Sequence, residues 1–283
     1  MDMHRERDMK MPSELVEFAK EADEQMARDY HEGFFRMSEK LRSLVCGTDV
    51  LSRVAADELR NIAGNPGYES PRWEPDYIVM ANGPKWQLRV GFYSRSSEFV
   101  YTMPQHMVVV VAGQQALVAD HYTLPQGIDI GTFDPALRLQ PAVRRVHAPG
   151  DLITIDSRHD LFDVMVDAKV LVVKFFSTAH HPLQWAFHRD TGQALQAIAA
   201  DPIDSELVSM SRTLGAMMNR AAVPALSQLC DHHQYFVRWA AMQALGYVAP
   251  ELLVPRLKVA AEDPHPHVRA AAHKALSRIL PQG

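Results

Sequence analysis

The stretch Val237-Arg238-Trp239-Ala240-Ala241-Met242-Gln243-Ala244-Leu245 returns 31 residues later as Val268-Arg269-Ala270-Ala271-Ala272-His273-Lys274-Ala275-Leu276. Ahead of it, Val223-Pro224-Ala225-Leu226 is echoed by Val254-Pro255-Arg256-Leu257, and a fainter copy one period earlier keeps Leu195, Asp201-Pro202, Leu214 and Gly215. A period of this length marks a helical solenoid, whose units cannot bury their apolar faces alone and must stack. In the middle unit the pattern predicts two short antiparallel helices, Val223 to Cys230 and Tyr235 to Gly246. The recurring alanines let neighbouring helices approach closely, while Leu226, Leu229, Val237 and Leu245 supply apolar area. Each buried leucine contributes about 1.5–3 kcal/mol against chain ordering. Arg238 and Arg269, equivalent by the period, either pair with an acid or carbonyl of an adjacent unit or lie solvated. Pro264 is expected at a helix start, where its missing N–H costs nothing.

These residues resemble HEAT repeats in the short form of the phycobilin-lyase-like branch, whose second helix reads V-R-x-x-A-x-x-A-L. The resemblance implies a C-terminal α-solenoid of about three HEAT-like repeats that docks a protein partner.

Length and composition frame the rest. At 283 residues with 47% apolar content the chain is large enough for two domains with real cores. A net charge of −5 offers no electrostatic footprint for nucleic acid. The longest apolar run, Met107 to Ala112, is far too short to cross a bilayer, and MDMHRERDMK at the amino terminus is too polar for a secretory signal. Two distant cysteines, Cys46 and Cys230, are expected as buried thiols of a cytoplasmic protein.

From Ser13 to Val45 apolar residues fall every three or four positions, which predicts a long helix or two in tandem, with Gly33 its weak point. Gly47 ends it, and Thr48 caps a second helix reaching Ala63 and closed by Gly64. Beyond GNPGYESPRWEP the texture becomes short β-rich runs: Tyr77 to Met80, Trp86 to Tyr93, Phe99 to Met103, His106 to Val111, Ala116 to Ala119, Leu152 to Ile155 and Lys169 to Phe176. Pro125 to Ala142 carries the least pattern and reads as a loop insertion. The expected fold class is therefore α+β multidomain: a disordered tail over 1–11, helices over 12–71 packing on an antiparallel β-barrel over 72–178, and helical repeats over 179–283.

Two segments of the β region resemble the cupin family of RmlC-type jelly rolls. His106-Met-Val-Val-Val-Val-Ala-Gly113 is similar to the strand and turn of cupin motif 1, and Pro149-Gly150-Asp151-Leu-Ile-Thr-Ile-Asp156-Ser-Arg-His159 is similar to motif 2. The sequence departs from the family where a His-x-His pair should precede the motif 1 acid, since Phe99-Val100-Tyr101-Thr102 holds no histidine. The resemblance leaves His106 and His159 as metal ligands, with Glu98, Asp156 or Asp160 as a third and His121 as a replacement. Two imidazoles and a carboxylate suit Fe(II) or another divalent transition metal. The opposite reading makes them hydrogen-bonded barrel histidines, with Phe99, Tyr101, His106 and His159 lining a pocket for a small organic molecule. His180-His181 is read as a solvated linker.

No G-x-S-x-G, P-loop, G-x-G-x-x-G or H-E-x-x-H occurs, so hydrolase, nucleotide and zincin readings lack a motif. Two functions compete. One is a cytoplasmic accessory or regulatory protein whose barrel binds a small molecule and whose repeats dock a partner; a homodimer stays open, and nucleic acid and membrane are not expected. The other is an enzyme, a metal-dependent cupin oxygenase acting on a small polar substrate.

Overall fold

The computed structural model describes residues 11–65, 67–68, 70, 73–74, 76–93, 97–165 and 168–279. Apart from Met11, the tail expected over 1–11 lies outside the described residues, as does most of the expected cap at 279–283. Two compact units form. The first comprises the described residues up to Ile130 with Asp134–His181 and Trp185–Gln196; the second comprises Gly131–Phe133, Pro182–Gln184 and the described residues from Ala197 onward.

The first unit opens with α1 (Ser13–Arg28), α2 (Tyr30–Arg36), α3 (Ser38–Gly47) and α4 (Val50–Gly64). Leu15, Phe18, Ala22 and Met26 form the buried stripe of α1, as their spacing requires. The chain breaks at Asp29, which is extended and whose side chain accepts the Glu32 N–H at 2.8 Å as the cap of α2. Gly33, the expected weak point, lies instead inside α2, where an added Cβ would sit 2.2 Å from the Gln25 carbonyl oxygen. Its role is to let α2 approach α1. Asp49, not Thr48, holds the N-cap position of α4; Thr48 stands one residue earlier, accepting the Val50 N–H at 3.2 Å and donating to the Leu44 carbonyl at 2.7 Å.

Twelve strands follow among the described residues: β1 (Trp73–Glu74), β2 (Tyr77–Gly83), β3 (Trp86–Tyr93), β4 (Phe99–Tyr101), β5 (Met107–Val111), β6 (Leu117–Thr123), β7 (Val143–His147), β8 (Leu152–Ile155), β9 (Asp160–Val164), β10 (Val170–Ser177), β11 (Leu183–His188) and β12 (Ala194–Ala199). One sheet runs β1-β2-β3-β10-β5-β8, and two three-stranded sheets run β12-β11-β4 and β7-β6-β9. With β4 lying beside β9, the eight strands β3 to β10 take the orders β3-β10-β5-β8 and β4-β9-β6-β7. That is the strand order of a jelly roll, two Greek keys folded into facing sheets. Gly150, in the Pro149-Gly150-Asp151 turn, has φ +84°, a conformation only glycine adopts freely, and its N–H donates to Val111 at 2.8 Å.

The strands continue past residue 178, where the sequence pattern had ended the barrel. Leu195, counted with the repeats, stands half-exposed on β12. The alternation of β11 was masked by Trp185, Ala186 and Phe187, all buried together. Residues 125–142 hold no strand beyond the isolated bridge Arg138 to Gln193.

Every residue of β5 is buried because its sheet is covered on both faces. Val108, Val110, Val173, Phe175, Trp86 and Leu88 pack under the amino-terminal helices. Met107, Val109, Val111, Val172 and Phe176 point the other way, into a core shared with Leu117, Ala119, Phe162 and Val164 of the facing sheet. The six-stranded sheet therefore has an outer face under helices and an inner face within the jelly roll.

The second unit holds α5 (Pro202–Ala216), a 3₁₀ turn (Arg220–Ala222), α6 (Val223–Leu229), α7 (Tyr235–Val248), α8 (Pro250–Ala260) and α9 (Pro266–Ile279). Ala240, Ala241, Ala244 and Leu245 are buried in α7, and Val268 and Ala272 in α9. Arg238 reaches the carbonyls of His232 and His233 at 2.8 and 2.9 Å, and Arg269 those of Asp263 and Pro264, one period on, at 2.6 and 2.8 Å. Arg238 also forks onto the Asp263 carboxylate of the next unit at 2.8 and 2.5 Å, so both expected pairing modes occur. Pro264 precedes its helix rather than starting it; Pro266 takes the first position. Cys230 is buried, which pushes its thiol up to about 11, whereas Cys46 is exposed, contrary to expectation. No helix among the described residues is long and apolar enough to cross a membrane.

Candidate functional site

His106 is 2% exposed and immediately precedes β5. Strand alternation gives it the side of Val108 and Val110, the outer face, rather than the jelly-roll interior. Helix α2 closes over it: the rings of His31, Phe35 and Phe34 lie 4.9, 5.2 and 5.8 Å from its own. The backbone N–H of His106 donates to Ser177 Oγ at 2.9 Å, and the Ser177 N–H returns to the His106 carbonyl at 3.1 Å. From the turn between β8 and β9, the Ser157 N–H donates to His106 Nδ1 at 3.3 Å.

The same turn supplies Asp156. One carboxylate oxygen lies 3.3 Å from His106 Nδ1 and the other 3.0 Å from His31 Nε2. Arg158 folds back onto this carboxylate through Nε at 3.0 Å and Nη2 at 2.6 Å, and its Nη2 also touches His31 Nε2. The His180 ring lies tilted 4.3 Å from that of His106 and is tied to it through Ser157 Oγ, 2.8 Å from His180 Nε2 and 3.3 Å from His106 Nδ1. His181 follows, with a buried Nε2 that finds no partner. His180 is exposed, as expected of a solvated linker, yet its ring also contacts His106, while His181 is partly buried.

Burial dominates the electrostatics. It pushes His106 down to about 3, helped by His180 alongside, and His181 down to about 4, so both rings are neutral near pH 7. Burial would raise Asp156, but the hydrogen bonds from Arg158 and His31 outweigh it and hold the carboxyl below its ordinary range. The cluster is a neutral imidazole wall around one carboxylate that is already matched by a guanidinium.

The residues anticipated from sequence divide sharply. His159 is exposed in the β8–β9 turn, its carbonyl accepting from Leu124 at 2.7 Å, and it lines a surface pocket of about 650 Å³ with Arg158 and His181. Phe99 and Tyr101 stand half-buried on β4, rings 6.4 Å apart, and Glu98 beside them is exposed. Neither His159 nor Glu98 joins a group of ligand atoms near His106; among the described residues His106 groups with His31 and Asp156. Asp160 accepts the Asp156 N–H at 3.0 Å and so braces the turn. His121 faces the jelly-roll interior against Phe162, its Nε2 2.9 Å from that of His147, and burial pushes it down to about 4. Neither His31 nor Arg158 carries a local signal in the sequence. The tertiary placement of α2 brings His31 to the site, and the turn brings Arg158.

The inner face carries a second polar group. Lys174 and Arg89 are direct partners across β10 and β3, and alternation turns both inward between Val172 and Phe176 and between Leu88 and Val90. Lys174 Nζ lies 4.5 Å above the Tyr93 ring, and Arg89 lies between the rings of Tyr77 and Phe176 at 4.3 and 4.9 Å. Among the described residues no carboxylate is within ion-pair distance of either. Burial, with Arg89 adding to it, pushes Lys174 down to about 8.

In the second unit a groove of about 760 Å³ runs across α5, α7 and α9, lined by Val208, Tyr235, Phe236, Trp239 and Val268 among others. Asp204, His232 and His233 form a further group of clustered donor atoms.

A family model described as HEAT repeats matches residues 237–282, so the carboxy-terminal region carries HEAT repeats. No curated protein matches the sequence. Among solved structures, hydroquinone 1,2-dioxygenase from Sphingomonas sp. TTNP3 is similar at a TM-score of 0.29 and 6% identity, over 38% of this chain and 69% of that one. KdgF from Halomonas sp. is similar at 0.25 and 16%, over 40% and 90%. A sugar phosphate isomerase from a cupin superfamily, from Silicibacter pomeroyi, is similar at 0.25 and 13%, over 44% and 76%. At such scores the likeness carries nothing about activity.

Proposed function

We propose that this chain is an accessory binding protein whose HEAT repeats dock a protein partner and whose jelly roll holds a small anionic molecule. The observation that carries the reading is the groove across α5, α7 and α9, where Tyr235, Phe236 and Trp239 stand together. Aromatic anchors in a concave surface are the groups that dominate protein recognition energies. Exposed Met210, Met217, Met218 and Tyr247, at 58–67%, add adaptable apolar surface on the same unit.

For the jelly roll, the support is the inward pair Lys174 and Arg89. Two cations with no carboxylate in ion-pair contact among the described residues, walled by aromatic rings and opposed only at longer range by Asp76, suit a carboxylate or phosphate on a small organic molecule. An oxygenase built on His106 and His159 draws no such support, because His106 faces α2 and His159 faces solvent.

The test compares partners retained by the full chain and by its Trp239→Ala variant in quantitative affinity capture. A protein held by the wild type and lost from the variant supports docking in the groove. Equal retention by both, or no retained protein, overturns it.

A further inference from the structure

Three donor groups far apart in sequence converge at the outer face: His31 from α2, His106 before β5 and Asp156 from the β8–β9 turn, with one ligand atom of each within 4.8 Å of the others. No single choice of ring tautomers satisfies every one of their contacts. Because the Ser157 N–H donates to His106 Nδ1, that nitrogen presents a lone pair, yet it faces a carboxylate oxygen of Asp156 at 3.3 Å. Two electron-rich atoms at this distance repel unless positive charge lies between them. His31 Nε2 has the converse problem. It faces an acceptor, Asp156 Oδ2 at 3.0 Å, and a donor, Arg158 Nη2, and one proton position cannot serve both. Arg158 supplies the missing positive charge from outside, on a flexible side chain that is 45% exposed and lines the adjoining surface pocket.

We propose that His31, His106 and Asp156 bind one divalent transition-metal ion of the zinc class, with Arg158 the counter-cation that the ion displaces into the adjoining pocket. Two imidazoles and one carboxylate are a sufficient protein ligand set for such an ion and leave a position open. The site lies between helix and sheet, outside the jelly-roll interior, and joins α2 to the β-domain. It is independent of the docking reading above.

The test uses the full, untagged chain stripped with a chelator and titrated with Zn²⁺ by calorimetry and with Co²⁺ by visible absorption. All proteins carry His232→Ala and His233→Ala, which removes the donor group of the second unit. One ion per chain is expected, with a cobalt d–d band, an upward thermal shift on loading, and at least about a tenfold loss of affinity in His31→Ala. His31 is one-third exposed, so this variant keeps the fold where His106→Ala would not. Arg158→Ala is expected to tighten binding, because it removes the competing cation. Absence of binding, binding indifferent to His31→Ala, or an Arg158→Ala protein that loses stability without gaining metal affinity would each overturn the site.

Discussion

The outer and inner faces of the six-stranded sheet are both buried, but they handle polar groups in opposite ways. On the outer face His106 is surrounded by His31, Asp156, Ser157 and His180, all within hydrogen-bonding or ring-contact range. On the inner face Lys174 has an aromatic ring and a neighbouring cation, and the charge of Asp76 acts on it only through space. The first arrangement crowds imidazoles from several elements around one carboxylate and leaves their contacts in conflict; the second packs two cations against aromatic rings with no carboxylate in ion-pair contact among the described residues. Covering a sheet twice thus produces two chemically distinct sites on one scaffold.

The largest effect should come from the outer core. Phe175 stacks on Phe34 at 4.8 Å, meets Phe18 edge-on and lies tilted against Trp86, so it carries the attachment of α1 and α2. Phe175→Ala is expected to cost about 3–5 kcal/mol in urea denaturation, against about 2 kcal/mol for Val172→Ala on the inner face. Equal losses would erase the distinction between a face that fastens helices and one that fills a jelly roll.

That distinction was only half legible in the sequence. The repeats could be read because apolar positions recur: Val237 and Ala241 predict the buried Val268 and Ala272, and Leu245 the partly buried Leu276, without any knowledge of long-range contacts. Six of the eight jelly-roll strands were legible from composition and Gly150 marked a turn, but β7 and β9 were not read. Which face His106 takes was not, because MVVVV alternates nothing when both faces are apolar. The family resemblance aimed His106 inward beside His159; the packing of α2 aims it outward beside His31. Phe99 and Tyr101 stayed on β4, in the facing sheet, for the same reason: ligand position depends on register between strands, which no local pattern encodes.

A smaller effect should sharpen the comparison at the helix contact. Gly33→Ala places a methyl 2.2 Å from a backbone oxygen of α1, which must move. The expected loss is about 1–3 kcal/mol. Hydrogen exchange should localise it to α2 and the outer face, leaving amide protection in β6 and β9 unchanged. Loosening of the inner core would mean that the two faces are not independent.

The smallest effect, and the only gain, belongs to Lys174. Burial lowers its value from 10.5 to about 8, so the folded protein binds fewer protons than the unfolded chain between those limits. Stability therefore rises with pH across that window, and below pH 8 the full penalty of the buried charge is present. Against the penalty stands the contact with Tyr93, of about 0.5–2 kcal/mol. Lys174→Met, similar in shape, should raise stability at pH 7 by about 1 kcal/mol and flatten the alkaline slope. A millimolar organic carboxylate should stabilise the wild type and leave Lys174→Met unmoved, since only the former retains the charge that an anion would neutralise. If Lys174→Met instead loses stability at pH 7, the ring contact outweighs desolvation, and the inner face needs no anion to offset its buried charge.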